Sequence, residues 1–151
     1  ESKFVDYLLM QGYENITVLD ISKNAIEKAK KRIGEKSDQV KWVVNDINEF
    51  MPNNKFDFWH DRAVFHFLTN KESISNYSKM VSNYATHFVV GTFSTEGPKK
   101  CSGLDICQYD EISITKTFES HNFKKVESKR VDHETPFGTI QNFIFCSFTA
   151  I

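Results

Sequence analysis

Two carboxylates stand where short apolar runs end. Asp20 closes Ile16-Thr-Val-Leu-Asp20, and Asp46 lies just beyond Val40-Lys-Trp-Val-Val44. A carboxylate has acceptor sites for two donors, so Asp20 at a strand end is placed to take both hydroxyl hydrogens of the ribose in an adenine cofactor. Asp46, one strand-helix-strand unit later, is placed to accept a hydrogen bond from the exocyclic adenine amine, with Ile21 and Ile47 packing on the ring faces. The plainer reading of Asp20 is electrostatic, as an acid just ahead of a helix N-terminus.

The densest chemical segment is Phe56-Asp-Phe-Trp-His-Asp-Arg-Ala-Val-Phe-His-Phe-Leu-Thr69, which puts an indole, two imidazoles, an acid and a guanidinium at a strand-to-helix junction. One reading makes these groups line the place where an acceptor meets the cofactor, with a histidine titrating near neutrality as the base. The other is structural: Asp61 and Arg62 cap the helix, His60 is exposed, and His66 faces the core or a loop.

The elements that must hold these residues alternate. Apolar spacing predicts a helix from Phe4 to about Gln11, stopped by Gly12. A strand over Ile16–Leu19 follows, then an amphipathic helix over Ala25–Ile33 with Ser22 as N-cap and Gly34 as its end. Strands are predicted over Val40–Val44, Phe56–Trp59 and His87–Phe93, with helices over Arg62–Leu68 and Ser73–Tyr84 between the last two. Residues 94–110 carry turn chemistry and little periodicity, the pattern of a functional loop. After a helix over Glu111–His121, two extended segments, 124–133 and 139–149, are joined through Thr135-Pro-Phe-Gly138 as a hairpin. This βαβα series predicts one α/β domain over residues 1–151, a mostly parallel sheet with helices on both faces and its ligand at the carboxyl ends of the strands.

Composition removes several classes of function. At 151 residues, with 40% hydrophobic and 26% charged residues, the chain is long enough for one well-buried core. Many of its 14 phenylalanines sit in alternating or clustered runs such as Phe143-Ile-Phe-Cys-Ser-Phe148, and these are read as that core. A net charge of −1 offers no field for a nucleic-acid backbone, and the basic run Lys28–Arg32 is a solvated helix face. Cys101, Cys107 and Cys146 are odd in number and lack zinc-like spacing, which predicts no disulfide framework, no metal and a reducing, cytoplasmic setting. No apolar run reaches the ~20 residues of a membrane span.

Taken in order, Ile16-Thr-Val-Leu-Asp-Ile-Ser22, Trp42-Val-Val-Asn-Asp-Ile47 and Trp59-His-Asp-Arg-Ala-Val-Phe-His-Phe-Leu-Thr69 resemble a small branch of the class I S-adenosylmethionine-dependent methyltransferases. The likeness continues through Gly91-Thr-Phe93, Cys101-Ser-Gly103, Tyr109-Asp110 and His133-Glu-Thr-Pro-Phe-Gly138. It implies a Rossmann-like three-layer sandwich whose last strand is antiparallel. It also implies that Asp20 binds the ribose of S-adenosylmethionine, that Asp46 contacts adenine between Ile21 and Ile47, and that Trp59, His60 and Asp61 lie near the methyl group. Of the family's pattern, the first strand and its Gly-x-Gly loop are expected immediately before Glu1, leaving two central strands short of a neighbour. The expected reaction is in-line methyl transfer to a small-molecule or protein acceptor, with His60, Asp61 or His66 removing a proton and the loop 94–110 closing over the acceptor. The rivals are a noncatalytic binding module of the same fold and a nicotinamide oxidoreductase. A zinc hydrolase fits less well, since His60 and His66 form no ligand pair at helical spacing.

Overall fold

The computed structural model describes residues 2–151, which form two compact units, one reaching to Phe50 and the other Met51–Ile151.

In the first unit, α1 (Phe4–Met10) buries Val5 and Leu9. Gly12 ends it with φ 81°, a left-handed conformation in which the next residue's N–H, on Tyr13, reaches back to the Leu8 carbonyl at 3.0 Å. Strand β1 (Ile16–Asp20) then leads to α2 (Lys23–Ile33), where the Ser22 hydroxyl accepts the Ala25 N–H and Lys30, Lys31 and Arg32 fill the last turn. Cations there oppose the negative end of the helix dipole. Arg32 also pairs with Asp6 at 2.7 Å, which holds the Asp6 carboxyl below its usual range. A 3-10 turn precedes β2 (Val40–Val44), which runs parallel to β1 with Ile16 opposite Val40 and Asp20 opposite Val44. Val5, Leu9, Ile16 and Val40 form the core of this unit, flanked by Val18, Ile33 and Trp42.

The second unit is a four-stranded sheet in the order β3-β4-β8-β7. Strand β3 (Phe56–Arg62) pairs parallel with β4 (Ala85–Phe93) across α3 (Lys71–Tyr84). After α4 (Glu111–Glu119) the chain adds β7 (Phe123–Glu134) and β8 (Ile140–Ala150) as a hairpin, with β8 antiparallel to both β4 and β7. The expected α/β architecture and its antiparallel end are both present, but the four-stranded sheet is mixed and not mostly parallel, because the terminal hairpin adds two antiparallel pairs to the one parallel pair. One face of this sheet is covered by α3 and α4 through an aromatic cluster of Phe65, Tyr77, Phe88, Phe118, Phe123 and Phe148.

One predicted element is different. Residues 62–68 are not a helix: β3 continues to Arg62, and only Phe65–Phe67 turns, as a 3-10 helix. The cause is local. Ala63 has φ 62°, outside the helical region, and the Asp61 carboxylate takes the Val64 and Phe65 N–H groups that a longer helix would orient differently. The loop 94–110 also carries structure, a small hairpin of β5 (Lys100–Cys101) and β6 (Leu104–Asp105) turning through Ser102 and Gly103, both at positive φ as a type I′ turn requires.

That loop is anchored tightly at its start. The Ser94 hydroxyl donates to Asn142 Oδ1, and a Cβ built on Gly97 would lie 2.6 Å from the Asn142 carbonyl oxygen. Backbone cannot yield as a side-chain tip does. Gly97→Ala is therefore expected to lower stability by about 1–3 kcal/mol, read as a fall in the urea midpoint, whereas Gly103→Ala is strained by its φ alone.

Candidate functional site

In the first unit the parallel register brings the two strand-end acids together. Asp20 lies opposite Val44, and the Asn45 N–H continues the ladder onto the Asp20 carbonyl at 3.2 Å, so Asp46 follows one residue past that bond. Asp20 Oδ1 accepts the Ser22 N–H at 2.8 Å, and Asp46 Oδ1 accepts both the backbone and side-chain N–H of Asn48, at 2.8 and 3.0 Å. These bonds fix each carboxylate while leaving its Oδ2 without a hydrogen-bond partner among the described residues. Ile21 is 70% exposed beside Asp20, and Ile47 is half-buried beside Asp46. The donor-seeking oxygens and an exposed branched side chain at adjacent strand ends are the chemistry that an adenosine calls for, so these residues fit S-adenosylmethionine.

In the second unit the pleat of β3 divides its residues between two faces. Asp61 faces the helices and is 5% exposed. It accepts the Tyr77 hydroxyl at 2.5 Å as well as the Val64 and Phe65 N–H groups at 3.2 and 3.3 Å. Burial pushes its carboxyl up to about 6, against the pull of those three donors. Trp59 is half-buried and hydrogen-bonds to the same Tyr77 hydroxyl, whose own pKa burial and the Asp61 charge drive well above the usual tyrosine value. Tyr77 is thus a permanent donor to Asp61. No local motif announces it, because it comes from α3, a full turn-and-helix later; its only sequence signal is an aromatic at the buried stripe of that helix.

The opposite face carries Phe58, His60 and Arg62. His60 stacks on Phe58 at 6.4 Å and is half-buried, not exposed. Burial first, then the Arg62 charge, lowers its pKa, so the imidazole is neutral at pH 7. Arg62 is half-buried with its guanidinium carbon 5.4 Å from the centre of the Phe143 ring. His66, on the 3-10 turn, is fully buried and stacks on Phe93 at 4.5 Å, with neither ring nitrogen hydrogen-bonded among the described residues. Burial drops its pKa to about 4. The His66 carbonyl accepts the Cys107 N–H at 2.8 Å, which ties the end of the loop 94–110 to this turn. Thr92, also missed in the sequence, has a buried hydroxyl with no partner.

The structure thus gathers Asp20, Ile21, Asp46 and Ile47 at one strand edge, and separates the three proton-transfer candidates by environment: Asp61 bound by donors, His66 sealed among aromatics, His60 beside a cation. Among the described residues no helix is long and apolar enough to cross a membrane.

The chain is similar to known proteins. A malonyl-[acyl-carrier protein] O-methyltransferase of Ilyobacter polytropus is 35% identical over 60 residues, 40% of this chain and 23% of the relative, so the chain matches about a quarter of that protein's length. The 1,6-didemethyltoxoflavin-N1-methyltransferase of Burkholderia thailandensis, solved with bound 1,6-didemethyltoxoflavin and S-adenosylhomocysteine, superposes with a TM-score of 0.73 at 18% identity, over 97% of this chain and 66% of that one. A S-adenosylmethionine-dependent methyltransferase of Methanosarcina mazei gives 0.75 at 13% identity, over 97% and 86%. At these identities the likeness fixes a Rossmann-like methyltransferase fold. Residues 2–84, more than half of the chain and including both strand-end acids and Trp59 to Thr69, match the family described as methyltransferase domain, and the chain belongs to that family.

Proposed function

We propose that the protein is a S-adenosylmethionine-dependent methyltransferase acting on a small-molecule or protein-borne nucleophile in the cytoplasm. The observation that carries this reading is the pair of oriented carboxylates, Asp20 and Asp46, at the ends of adjacent parallel strands, each with one oxygen unengaged among the described residues. The three free cysteines support the reducing compartment, and the malonyl-[acyl-carrier protein] relative supports including protein-borne acceptors.

When bound, S-adenosylmethionine supplies a methyl group on a positively charged sulfur that is a good leaving group. The chain's residues supply the rest. Asp20 holds the ribose hydroxyls and Asp46 the adenine amine, while Ile21 and Ile47 cover the ring. The reading assigns Trp59, held by Tyr77, to the methyl-donating end. Asp61 anchors the turn that follows β3, because its oxygens are already committed to three donors. A nucleophile that arrives protonated needs a base, and His60, neutral at pH 7, fits that part better than His66, which is sealed from solvent. A nucleophile that arrives as an anion needs none. The loop 94–110, tied to the His66 turn, closes over the acceptor.

Calorimetric titration of the full-length protein with S-adenosylhomocysteine tests the reading. Asp20→Ala is expected to weaken binding about 10- to 100-fold, the loss of hydrogen bonds to a charged acceptor, with the thermal midpoint little changed. No binding by the unmodified protein would leave the noncatalytic module of the same fold.

A further inference from the structure

The methyltransferase reading leaves the acceptor open, and one side chain bears on it. Arg62 is the last residue of β3, at the carboxyl end of the strand. It is half-buried, yet among the described residues no Asp or Glu lies within ion-pair distance of it. Contrast Arg32 and Arg130, which pair with Asp6 and with Glu111 and Glu96. A cation partly withdrawn from water without a counter-ion has lost hydration that only an anion restores well.

Its surroundings orient it without neutralising it. The guanidinium lies over Phe143, a cation–π contact that holds it against the ring. Phe143 meets Phe93 edge-on at 4.8 Å and stacks with Phe145 at 6.0 Å. Gly91, opposite Arg62 in register, has no side chain, and the Phe145 ring occupies the space that a Cβ would take. On the other side of Phe93 sits His66, fully buried, with both ring nitrogens unpartnered. An aromatic floor therefore joins an unneutralised guanidinium to a buried imidazole that has a hydrogen bond to give.

We propose that Arg62 binds the carboxylate of an anionic acceptor, so that the product is a methyl ester; this rests on the methyltransferase reading. A planar fork of N–H donors matches a carboxylate bidentately, and one guanidinium charge balances one carboxylate charge. One carboxylate oxygen attacks the methyl carbon with a lone pair as the carbon–sulfur bond breaks. The sulfur keeps that bond's electrons and leaves as neutral S-adenosylhomocysteine. No proton moves, so the step asks for no base.

The experiment supplies methyl-labelled S-adenosylmethionine to the full-length protein with acetate, succinate, adipate, benzoate and phenylacetate, each paired with its alcohol and amine. Methyl esters release labelled methanol in mild base; methyl amines and ethers do not. Base-labile label from at least one acid is expected. For that acid Arg62→Gln should raise KM about 30-fold or more, and Arg62→Lys about 10-fold, with S-adenosylhomocysteine affinity within twofold of the unmodified protein. Base-stable label, no labelled acid despite S-adenosylhomocysteine binding, or an Arg62→Gln variant with unchanged KM each overturns the carboxylate proposal alone. Absence of S-adenosylhomocysteine binding overturns the methyltransferase reading and this proposal with it.

Discussion

Phe118→Ala is expected to destabilise the protein by about 3–5 kcal/mol. The Phe118 ring is fully buried on α4, and five aromatic rings surround it: Phe88 at 4.8 Å, Phe65 at 5.0 Å, Phe148 at 5.2 Å, and Tyr77 and Phe123 at 6.4 Å. These come from α3, from three strands and from the 3-10 turn, so no single neighbour can shift to fill the cavity. Edge-on and tilted ring pairs add roughly 0.5–1.5 kcal/mol apiece to the area term, and all five are lost together. Against a total of about 5–15 kcal/mol for an ordinary domain, such a loss is a large fraction. Phe137→Ala is the control. That ring is 94% exposed at the tip of the β7–β8 hairpin, and its removal should move stability by no more than about 0.5 kcal/mol. Urea midpoints at constant slope read both. A loss under about 1.5 kcal/mol for Phe118→Ala would mean that α4 does not close the core.

The contrast between those two phenylalanines also marks what could be read in advance. Periodicity located β2 residue for residue and placed α3 and the terminal hairpin to within about two residues, because each has an unbroken pattern bounded by a cap or turn. Reading the phenylalanine runs as core was too broad at Phe58, which alternates with Phe56 yet is 47% exposed, since a run does not say which face a ring occupies. The predicted helix over 62–68 failed for a related reason. Its apolar spacing is genuine, but a buried carboxylate and one left-handed residue outweigh spacing over so short a run. The strand-end acids were legible because the strand ends were. The three donors on Asp61 and the setting of Arg62, with no counter-ion among the described residues, were not, because they depend on Tyr77 and Phe143, which are 16 and 81 positions away from those residues.

Asp61→Asn and His66→Phe are expected to tilt the pH profile of stability in opposite directions, from a starting profile that is nearly level between about pH 4 and 6.5. The folded state raises the Asp61 carboxyl from 3.8 to about 6, so folded protein holds this proton more tightly than unfolded chain. Its contribution is therefore greatest below about pH 4 and is lost as pH rises through 6, by roughly 3 kcal/mol. His66 runs the other way. Its folded value drops from 6.5 to about 4, so protonation favours the unfolded chain and stability is lost as pH falls through the same window, again by roughly 3 kcal/mol. The two slopes oppose and largely cancel. Half-buried His60, also lowered, adds a smaller slope with the sign of His66. Carboxyls held down by partners, such as Glu111 at about 2 beside Arg130, act below the window. Asp61→Asn removes the first slope, and the variant should weaken steadily from pH 6.5 to 4. His66→Phe keeps the stack on Phe93 and removes the second, so that variant should weaken from pH 4 to 6. The double variant returns toward level if the two sites act independently. Urea midpoints at four pH values within the window decide the matter: a profile for Asp61→Asn parallel to that of the unmodified protein means Asp61 does not titrate there, and its burial beneath Tyr77 is not what sets its chemistry.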